Sequence, residues 1–453
     1  MNTNTFKGGI HLPGYKEKTR GLAIIPANIP TKVYLPVSQH IGAPCIPLVE
    51  VGSEVKKGQK IATGKGFVTS PIYASVSGKV VAIEKRQHPG GNFIDCIVIE
   101  NDGREEWADT VKPNSHPEDL SPEEIRNIVF ESGIVGLGGA TFPAHVKFAP
   151  VEGKKAEYII LNGVECEPYI TADHRLMLEK ADRVVAGLRY IMKCTDCLQG
   201  IIAIEENKPD AIALMKKAVA AEKNIRVQAL KEKYPQGSEK HLIYACTKRE
   251  VPVGKLPLDV GVIVNNVGTA VAIADAVELG IPLIERVVTL SGDGIRNPAN
   301  YLVRLGTLFS DLIEQSGGFT GETERIISGG LMMGKAVYTA DVPVIKGSSG
   351  IVVLKKTSRK KVRETNCVRC GKCIEACPLF LEPTTITKLV KRGLWEEAEE
   401  NNAMSCIECG SCVFVCPARI PLVQYVRRAK QAIGAARAAA RAKADGNKDG
   451  GKK

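Results

Sequence analysis

The sequence predicts a multidomain α/β protein, and three observations support this fold class. The chain has 453 residues, more than a single hydrophobic core usually serves, so several domains are expected. Between residues 120 and 285, apolar strand-like segments alternate with helical ones, as in a parallel sheet covered by helices. Near the C-terminus, eight of the fourteen cysteines form two runs of equal spacing, which indicates a small metal-binding domain.

The N-terminal part divides into an extension, residues 1–30, and a β-rich segment, residues 31–110. Short β-branched stretches in the second segment are separated by glycine-containing turns, for example within 51–61 and 74–83. Together they predict a β-sandwich that resembles biotinyl or lipoyl domains. The tip that would carry a cofactor lies near Gly66 and Phe67 and has no lysine in an acidic setting. We therefore expect a structural role and not a carrier role.

Residues 120–285 contain four apolar strands, predicted at 158–161, 200–204, 225–230 and 261–264, with helices predicted at 122–132 and 209–222. Ligands of parallel sheets bind beyond the carboxyl ends of the strands. Polar residues follow all four strands, so the sequence predicts a binding site at that edge of the sheet. Ordinary polar loops are the alternative. The residues in question are Asn162, Glu165 and Glu167, then Glu205, Glu206 and Asn207, then Lys231, Tyr234 and Glu239, and finally Asn265 and Asn266.

A glycine-rich loop precedes the first of these strands. Gly136, Gly138 and Gly139 are followed by Pro143, which suits the first turn of a helix, and by Lys147. Glycines allow a close approach of the backbone to a ligand, and the lysine could neutralise a phosphate. The spacing matches neither a Rossmann fingerprint nor a Walker A loop, so the loop alone is a weak indication.

Residues 286–354 predict a β-grasp module, with a strand at 286–290, a tight turn at 292–294, a helix over about 307–315 and strands near 326 and 350–354. A further domain follows at 355–430, where helices are predicted at 384–391 and 394–401. Residues 431–453 consist largely of Ala, Arg, Lys and Gly and predict a basic tail without a core, which is either disordered or marginally helical.

The net charge of +11 is concentrated in the tail region. Residues 419–453 hold ten Lys or Arg against two Asp, a net charge of +8. This excess favours attraction to an anionic membrane surface or an acidic partner, with a solvated tail as the alternative. No aromatic residues accompany the charge beyond residue 425, so nucleic acid is not expected as a partner.

Both cysteine runs follow the pattern C-x-x-C-x-x-C-x-x-x-C-P. This is the ligand pattern of a two-cluster bacterial ferredoxin, in which the fourth cysteine of each run ligates the other cluster. A pair of zinc sites is the alternative, but zinc is usually held by two separated pairs of ligands. We therefore expect two 4Fe–4S clusters. One would be bound by Cys367, Cys370, Cys373 and Cys416, the other by Cys406, Cys409, Cys412 and Cys377.

Four segments occur in the same order as in the flavin subunit of respiratory complex I, namely 136–148, 161–168, 234–239 and 265–269. The N-terminal segment 6–11, the sandwich and the two cysteine runs make the chain more similar to the C subunit of the Rnf electron-transport complex. The resemblance covers residues 5–433. It implies a Rossmann-like parallel domain that binds FMN and NAD(H), a soluble-ligand-binding β-grasp domain and an α-helical two-cluster ferredoxin domain.

The resemblance also implies roles for individual residues. The FMN phosphate and ribityl chain would be held by Gly136, Gly138, Gly139 and Lys147. The flavin ring would be surrounded by Asn162, Glu165, Asn265, Asn266 and Thr269. The nicotinamide nucleotide would contact Phe142, Glu167 and Glu239, and Tyr234 is expected to line the same site. The chain departs from complex I at Leu137, Thr141, Val164 and Ser238, where that family has Arg, Gly, Asp and Glu.

The resemblance implies an oxidoreductase subunit that passes electrons between ferredoxin-derived clusters and NAD(H) through FMN. In the whole complex this transfer would be coupled to translocation of Na⁺ or H⁺. The implied partners are the other subunits of the membrane complex and, indirectly, ferredoxin. No catalytic acid or nucleophile is expected, because the cofactors carry the chemistry.

The chain has neither a secretory signal nor a run of about 18 apolar residues. We therefore expect no membrane span, and the resemblance implies a position on the cytoplasmic face of the membrane. Two alternatives remain open. One is a soluble flavin and iron–sulfur reductase similar to the corrin reductases, and the other is a redox scaffold that binds no nucleotide.

Overall fold

The computed structural model describes residues 4–357 and 363–449, with only the helical backbone described for 441–449. The N-terminal extension forms a strap, residues 4–30, that contacts several domains. The backbone N–H of Gly9 donates to the carbonyl of Ala376, and Ile10 pairs with Tyr234 in an isolated β-bridge. A two-residue strand, β1 (Ile25–Pro26), then adds to the sheet of the β-grasp domain.

The predicted β-sandwich is present. Val33 and Leu35 are fully buried while Tyr34 is half-buried, which is the alternation of a strand with one face in the core. One sheet has the order β2-β8-β7-β4 and the other β3-β5-β6. The strands are β2 (Lys32–Pro36), β3 (Ile46–Pro47), β4 (Glu54–Val55), β5 (Lys60–Thr63), β6 (Ile72–Tyr73), β7 (Gly78–Gln87) and β8 (Phe93–Asn101).

The central domain contains a four-stranded parallel sheet of order β11-β10-β9-β12, which confirms the four predicted strands. The chain runs outward from β9 to β11 and then returns to place β12 on the other side of β9. This reversal of strand order opens a crevice beyond the carboxyl ends of β9 and β12. The elements are α1 (Pro122–Glu131), α2 (Ala144–Phe148), β9 (Tyr158–Gly163), α3 (Ala172–Glu179), α4 (Ala181–Cys194), β10 (Gly200–Glu205), α5 (Pro209–Ala218), β11 (Ile225–Leu230), α6 (Glu239–Thr247), β12 (Val262–Asn266) and α7 (Val267–Leu279).

Local sequence explains how α7 is placed against the crevice. Asn266 caps the helix, because its side chain accepts the N–H of Gly268. Further along α7, a Cβ atom on Gly187 of α4 would lie 1.9 Å from the carbonyl oxygen of Ala270, so only glycine allows this close helix contact.

The β-grasp domain follows as predicted, except that β1 from the strap extends its sheet to six strands. The order is β1-β14-β13-β17-β15-β16. Its elements are β13 (Glu285–Ser291), β14 (Ala299–Arg304), α8 (Phe309–Gln315), β15 (Thr323–Ser328), β16 (Lys335–Val337) and β17 (Gly350–Lys355).

The C-terminal domain is helical, with α9 (Lys372–Glu375), α10 (Pro383–Lys391), α11 (Trp395–Glu400), α12 (Ser411–Phe414) and α13 (Leu422–Asp449). For the tail from residue 431, the structure agrees with the helical alternative and not with disorder, because α13 continues through Asp449. Its alanines and arginines are strong helix formers, and Ile433 still packs in the core of the domain. The side chains of residues 434–440 are exposed, as expected for a segment without large apolar residues. In the two described ranges, no helix combines the length and apolar character needed to cross a membrane.

Candidate functional site

A cavity of about 500 Å³ lies at the carboxyl ends of β9 and β12. This volume is in the range of cofactor-binding pockets. All but one of the predicted cofactor-binding residues line it: Gly136, Gly138, Gly139, Phe142, Lys147, Asn162, Glu165, Glu167, Tyr234, Glu239, Asn265 and Asn266. The cavity also receives Met333 and Ser349 from the β-grasp domain and Ile407 from the C-terminal domain.

The glycine loop forms one wall of this cavity, and different local constraints favour glycine at its positions. Gly139 has a φ of +147° and no atom within 4 Å of the position of a Cβ atom. A Cβ atom on Gly138 would lie 3.0 Å from Cβ of Asn266. The loop therefore presents bare backbone to the cavity, as a phosphate or ribityl chain requires.

Thr269 does not line the cavity but lies behind the loop. It is fully buried, and its Oγ1 accepts the N–H of Leu137 at 2.9 Å. The same hydroxyl lies 3.5 Å from the carbonyl oxygen of Val135, to which it donates. In the structure, Thr269 thus fixes the backbone of the glycine loop from behind.

Two adjacent asparagines at the end of β12 differ in their contacts. Asn266 donates from Nδ2 to Asp173 Oδ2 at 2.7 Å. Asn265 is 4% exposed and its Nδ2 has no hydrogen-bond partner within the described part of the chain. A buried donor without a partner is costly, and a ligand with acceptor atoms such as the flavin ring would satisfy it. The residues present therefore fit FMN.

A cation and a carboxylate meet at the edge of the cavity. Lys147 donates from Nζ to the carbonyl of Val264 at 3.1 Å and lies 3.4 Å from Glu239 Oε1. The Glu239 side chain is 44% exposed, so it is available to a nucleotide.

Glu167 has both carboxyl oxygens engaged by the protein. Oε2 accepts the N–H of Met332 at 2.8 Å, and Oε1 accepts the N–H of Met333 at 3.1 Å. The Tyr234 hydroxyl lies 3.2 Å from Oε1 and donates to the carbonyl of Cys409 at 2.8 Å. Burial raises the pKa of Glu167, and these hydrogen bonds oppose the rise. Glu167 therefore holds a loop of the β-grasp domain against the cavity, and its contact with a ribose stays a prediction.

Sequence reasoning missed two cations that donate to backbone carbonyls of residues lining the cavity. Lys16 of the strap is buried and donates to the carbonyl of Glu165 at 2.8 Å and to that of Ile170 at 2.5 Å. Arg286 of β13 donates to the carbonyl of Leu137 at 3.3 Å. Lys16 and Glu165 are 149 positions apart, so no local pattern could indicate their contact.

Asp173 also lines the cavity. Burial raises its pKa to about 7, and the charge of Glu165 raises it as well. The hydrogen bond from Asn266 and the charges of Arg286 and Lys16 act in the opposite direction. Asp173 can therefore bind or release a proton close to neutral pH.

The cysteine runs form two groups in the C-terminal domain. Cys377, Cys406, Cys409 and Cys412 line one common cavity. Burial raises the pKa of the Cys412 thiol, and the nearby thiols of Cys409, Cys406 and Cys377 raise it further. Burial likewise raises the pKa of Cys373, for which Cys416 and Cys370 are the neighbouring thiols that contribute. Cys406, Cys409 and Cys412 of the second run thus share a cavity with Cys377, the fourth cysteine of the first run, and Cys416 lies near Cys370 and Cys373. The place of Cys367 as the remaining ligand stays a prediction.

Two other features are not part of the site. A larger cleft of about 1050 Å³ lies between the sandwich and the helices α1 and α7. In the described part of the chain, no residue that lines this cleft has a buried polar side-chain atom without a hydrogen-bond partner.

The C-x-x-C pair of Cys194 and Cys197 is buried, and burial raises the pKa of Cys194 to about 12, which disfavours a reactive thiolate.

The comparisons with known families agree with this division into domains. Residues 4–104 match the RnfC barrel sandwich hybrid domain, and residues 129–275 match the Nuo51 FMN-binding domain. Residues 287–336 match the SLBB domain, and residues 359–417 match the 4Fe-4S dicluster domain. The predictions of an FMN-binding domain and of two 4Fe–4S clusters are thereby confirmed.

A solved structure shares the fold. The chain superposes on a crystal structure of an NAD⁺-reducing NiFe-hydrogenase in the H₂-reduced state with a TM-score of 0.50 and 18% sequence identity. The match covers 72% of this chain and 64% of the hydrogenase chain. At this identity the likeness concerns the fold alone.

Two relatives are similar over nearly their full length. The C subunit of the proton-translocating ferredoxin:NAD(+) oxidoreductase complex of Clostridium ljungdahlii is 53% identical over 424 residues, which is 93% of each chain. The C subunit of the Na(+)-translocating ferredoxin:NAD(+) oxidoreductase complex of Acetobacterium woodii is 48% identical over 429 residues, or 95% of this chain and 97% of the relative. The chain therefore belongs to the family of C subunits of ion-translocating ferredoxin:NAD(+) oxidoreductase complexes.

Proposed function

We propose that this chain transfers electrons between its two 4Fe–4S clusters and NAD(H) through FMN, as a peripheral subunit of an ion-translocating membrane complex. A flavin exchanges electrons singly with clusters and in pairs with a nicotinamide, and this chemistry belongs to the cofactors. The chain binds, orients and separates them.

The observation that carries this proposal is the position of Ile407. It lines the cavity at the ends of β9 and β12, and it also lines the cavity formed by Cys377, Cys406, Cys409 and Cys412. Tyr234 joins the same two sites, because it lines the first cavity and donates to the carbonyl of Cys409. The cluster held by these four cysteines would therefore be adjacent to the flavin, as electron transfer between them requires.

The second cluster, with Cys367, Cys370, Cys373 and Cys416, would be the more distant one. Cys367 and Cys370 are exposed, and Val368 between them is 64% exposed. An exposed cluster edge suits exchange of electrons with another subunit on the cytoplasmic face of the membrane. Electrons derived from ferredoxin would enter there and reach the flavin through the first cluster.

Individual residues would hold the cofactors as follows. The loop of Gly136, Gly138 and Gly139, with Lys147, would hold the FMN phosphate and ribityl chain. Asn162, Glu165, Asn265 and Asn266 would surround the flavin ring. Phe142 and Glu239 at the edge of the cavity would contact NAD(H).

The test is anaerobic reconstitution of the full chain with iron, sulfide and FMN, followed by addition of NADH. We expect bleaching of the flavin absorbance and an EPR signal from reduced clusters. A matched variant, Cys377→Ala, should still allow NADH to reduce the flavin, while electrons no longer reach the distant cluster at the wild-type rate. If NADH leaves the flavin oxidised in the wild-type chain, the proposal is wrong and the redox-scaffold alternative is favoured. Purification of the native protein without membrane subunits would instead favour the soluble reductase.

A further inference from the structure

We propose that Asp173 is a redox-linked proton site, which binds a proton as the flavin gains electrons and releases it as the flavin loses them. The proposal rests on the FMN site described above and adds a specific role for a residue that lines it. The geometry that supports it is a carboxyl group that lines the flavin cavity and accepts a hydrogen bond from Asn266, on a residue whose backbone N–H is held by the carboxylate of Glu165.

Asp173 lies in the first turn of α3 and lines the flavin cavity. Its Oδ2 accepts a hydrogen bond of 2.7 Å from Asn266, which lines the same cavity. The orientation of its carboxyl group is therefore fixed by a residue of the flavin site itself.

Charged residues surround the backbone of Asp173 and influence its carboxyl group. Glu165, just after β9, accepts the backbone N–H of Asp173 at 2.7 Å through Oε1. Lys16 of the strap lies 3.8 Å from Glu165 Oε2, and Arg286 of β13 is also buried. Burial and Glu165 raise the pKa of Asp173, while Arg286 and Lys16 lower it, which leaves it at about 7.

The role of Asp173 follows from charge balance. If bound FMN takes up two electrons and one proton, its charge would become more negative by one, in a site of low dielectric where charges interact strongly. A nearby carboxyl with a pKa near neutrality responds by binding a proton from water, which forms an O–H bond at Asp173 and compensates the added charge. Oxidation of the flavin reverses the step and returns the proton to water.

The experiment measures the flavin potential against pH in the full chain with its cofactors, for wild type and Asp173→Asn. The slope gives the number of protons taken up with two electrons. We expect the wild type to take up more protons than the variant around and above pH 7, by up to one proton. Equal slopes in the two proteins overturn the proposal.

Matched variants separate this role from a structural one. Asp210→Asn removes a carboxylate that contacts His174 outside the flavin cavity, and it should leave the slope unchanged. Lys16→Gln removes a charge that lowers the pKa of Asp173. The pH range in which the flavin potential falls most steeply with pH should therefore move to higher pH.

The direct readout is a carboxylic-acid infrared band that grows on flavin reduction in the wild type and is missing in Asp173→Asn. If the same band persists in that variant, another group binds the proton and the proposal is wrong.

Failure of this proposal is distinguishable from failure of the proposed function. Wild-type protein that binds no FMN contradicts the FMN site itself. Protein that binds FMN and accepts electrons from NADH, yet shows the same slopes with and without Asp173, contradicts only the proton role.

Discussion

Thr269→Val is the sharpest test of how the glycine loop is held. Valine has nearly the shape of threonine but lacks the hydroxyl. In the wild type, Thr269 accepts the N–H of Leu137 at 2.9 Å and donates to the carbonyl of Val135 at 3.5 Å. Because Thr269 is fully buried, water cannot replace its hydroxyl in the variant. The N–H of Leu137 is then left without an acceptor inside the protein.

The magnitude follows from the cost of an unsatisfied buried group, which is about 1–3 kcal/mol. The contact to Val135 is long and contributes little. If the whole cost falls on the loop conformation that binds FMN, the Kd for FMN rises by about 5- to 150-fold, since about 1.4 kcal/mol corresponds to a factor of ten. Part of the cost could be relieved by movement of the loop, and that movement would also weaken binding.

The assay is titration of FMN into flavin-free protein, followed by quenching of the FMN fluorescence. Thr269→Ser is the matched control, because serine keeps the hydroxyl and should bind FMN close to the wild-type affinity. Circular dichroism reports whether each variant retains the fold. A folded Thr269→Val protein with the wild-type Kd would refute the role of this hydroxyl in organising the loop.

Three further predictions concern the site and the domain junctions. Asn265→Ala should raise the Kd for FMN about tenfold, as expected for the loss of one hydrogen bond. The melting temperature of the flavin-free protein should not fall, because the Nδ2 of Asn265 has no hydrogen-bond partner among the described residues. EPR should show loss of the flavin-adjacent cluster in Cys377→Ala and of the distant cluster in Cys416→Ala; the opposite assignment would contradict the crossed pairing. Burial lowers the pKa of Lys346 from 10.5 to about 7, so the unfolded chain binds more protons between these pH values. Denaturant titrations should then show stability rising with pH across that window, by up to about 1.4 kcal/mol per pH unit, and Lys346→Met should lack this contribution.

Much of the fold could be predicted because it depends on local patterns. The four apolar strands of the parallel sheet, the helix that begins after Ser121 and the two cysteine runs all carry their signals within a few residues. For a related reason, the sequence could not decide between a disordered tail and a helical one. A lack of large apolar residues predicts the absence of a core, but α13 already begins inside the domain at Leu422, and its alanines extend an existing helix.

The candidate site could be predicted only where it follows strand ends or the glycine loop. Thr269 was expected to line the cavity, yet its position on the first turn of α7 turns it toward the back of the loop. Lys16 and Arg286 could not be found from sequence, because they reach the site from the strap and from another domain. Asp173 follows Glu165 by eight residues, but its pKa depends on burial and on those two distant cations.

The same long-range contacts explain why one chain carries all of these domains. Glu167 accepts two backbone N–H groups from the β-grasp domain, and Tyr234 links Glu167 to the carbonyl of Cys409. Lys346 adds a buried junction in which its Nζ donates to the carbonyls of Pro71 in the sandwich and Gly133 in the α/β domain. Because electron transfer weakens steeply with distance, the flavin and the adjacent cluster need a fixed separation, which independent domains on flexible linkers would not provide. These buried polar contacts hold the domains in one arrangement, and each would leave unsatisfied groups if the domains moved apart.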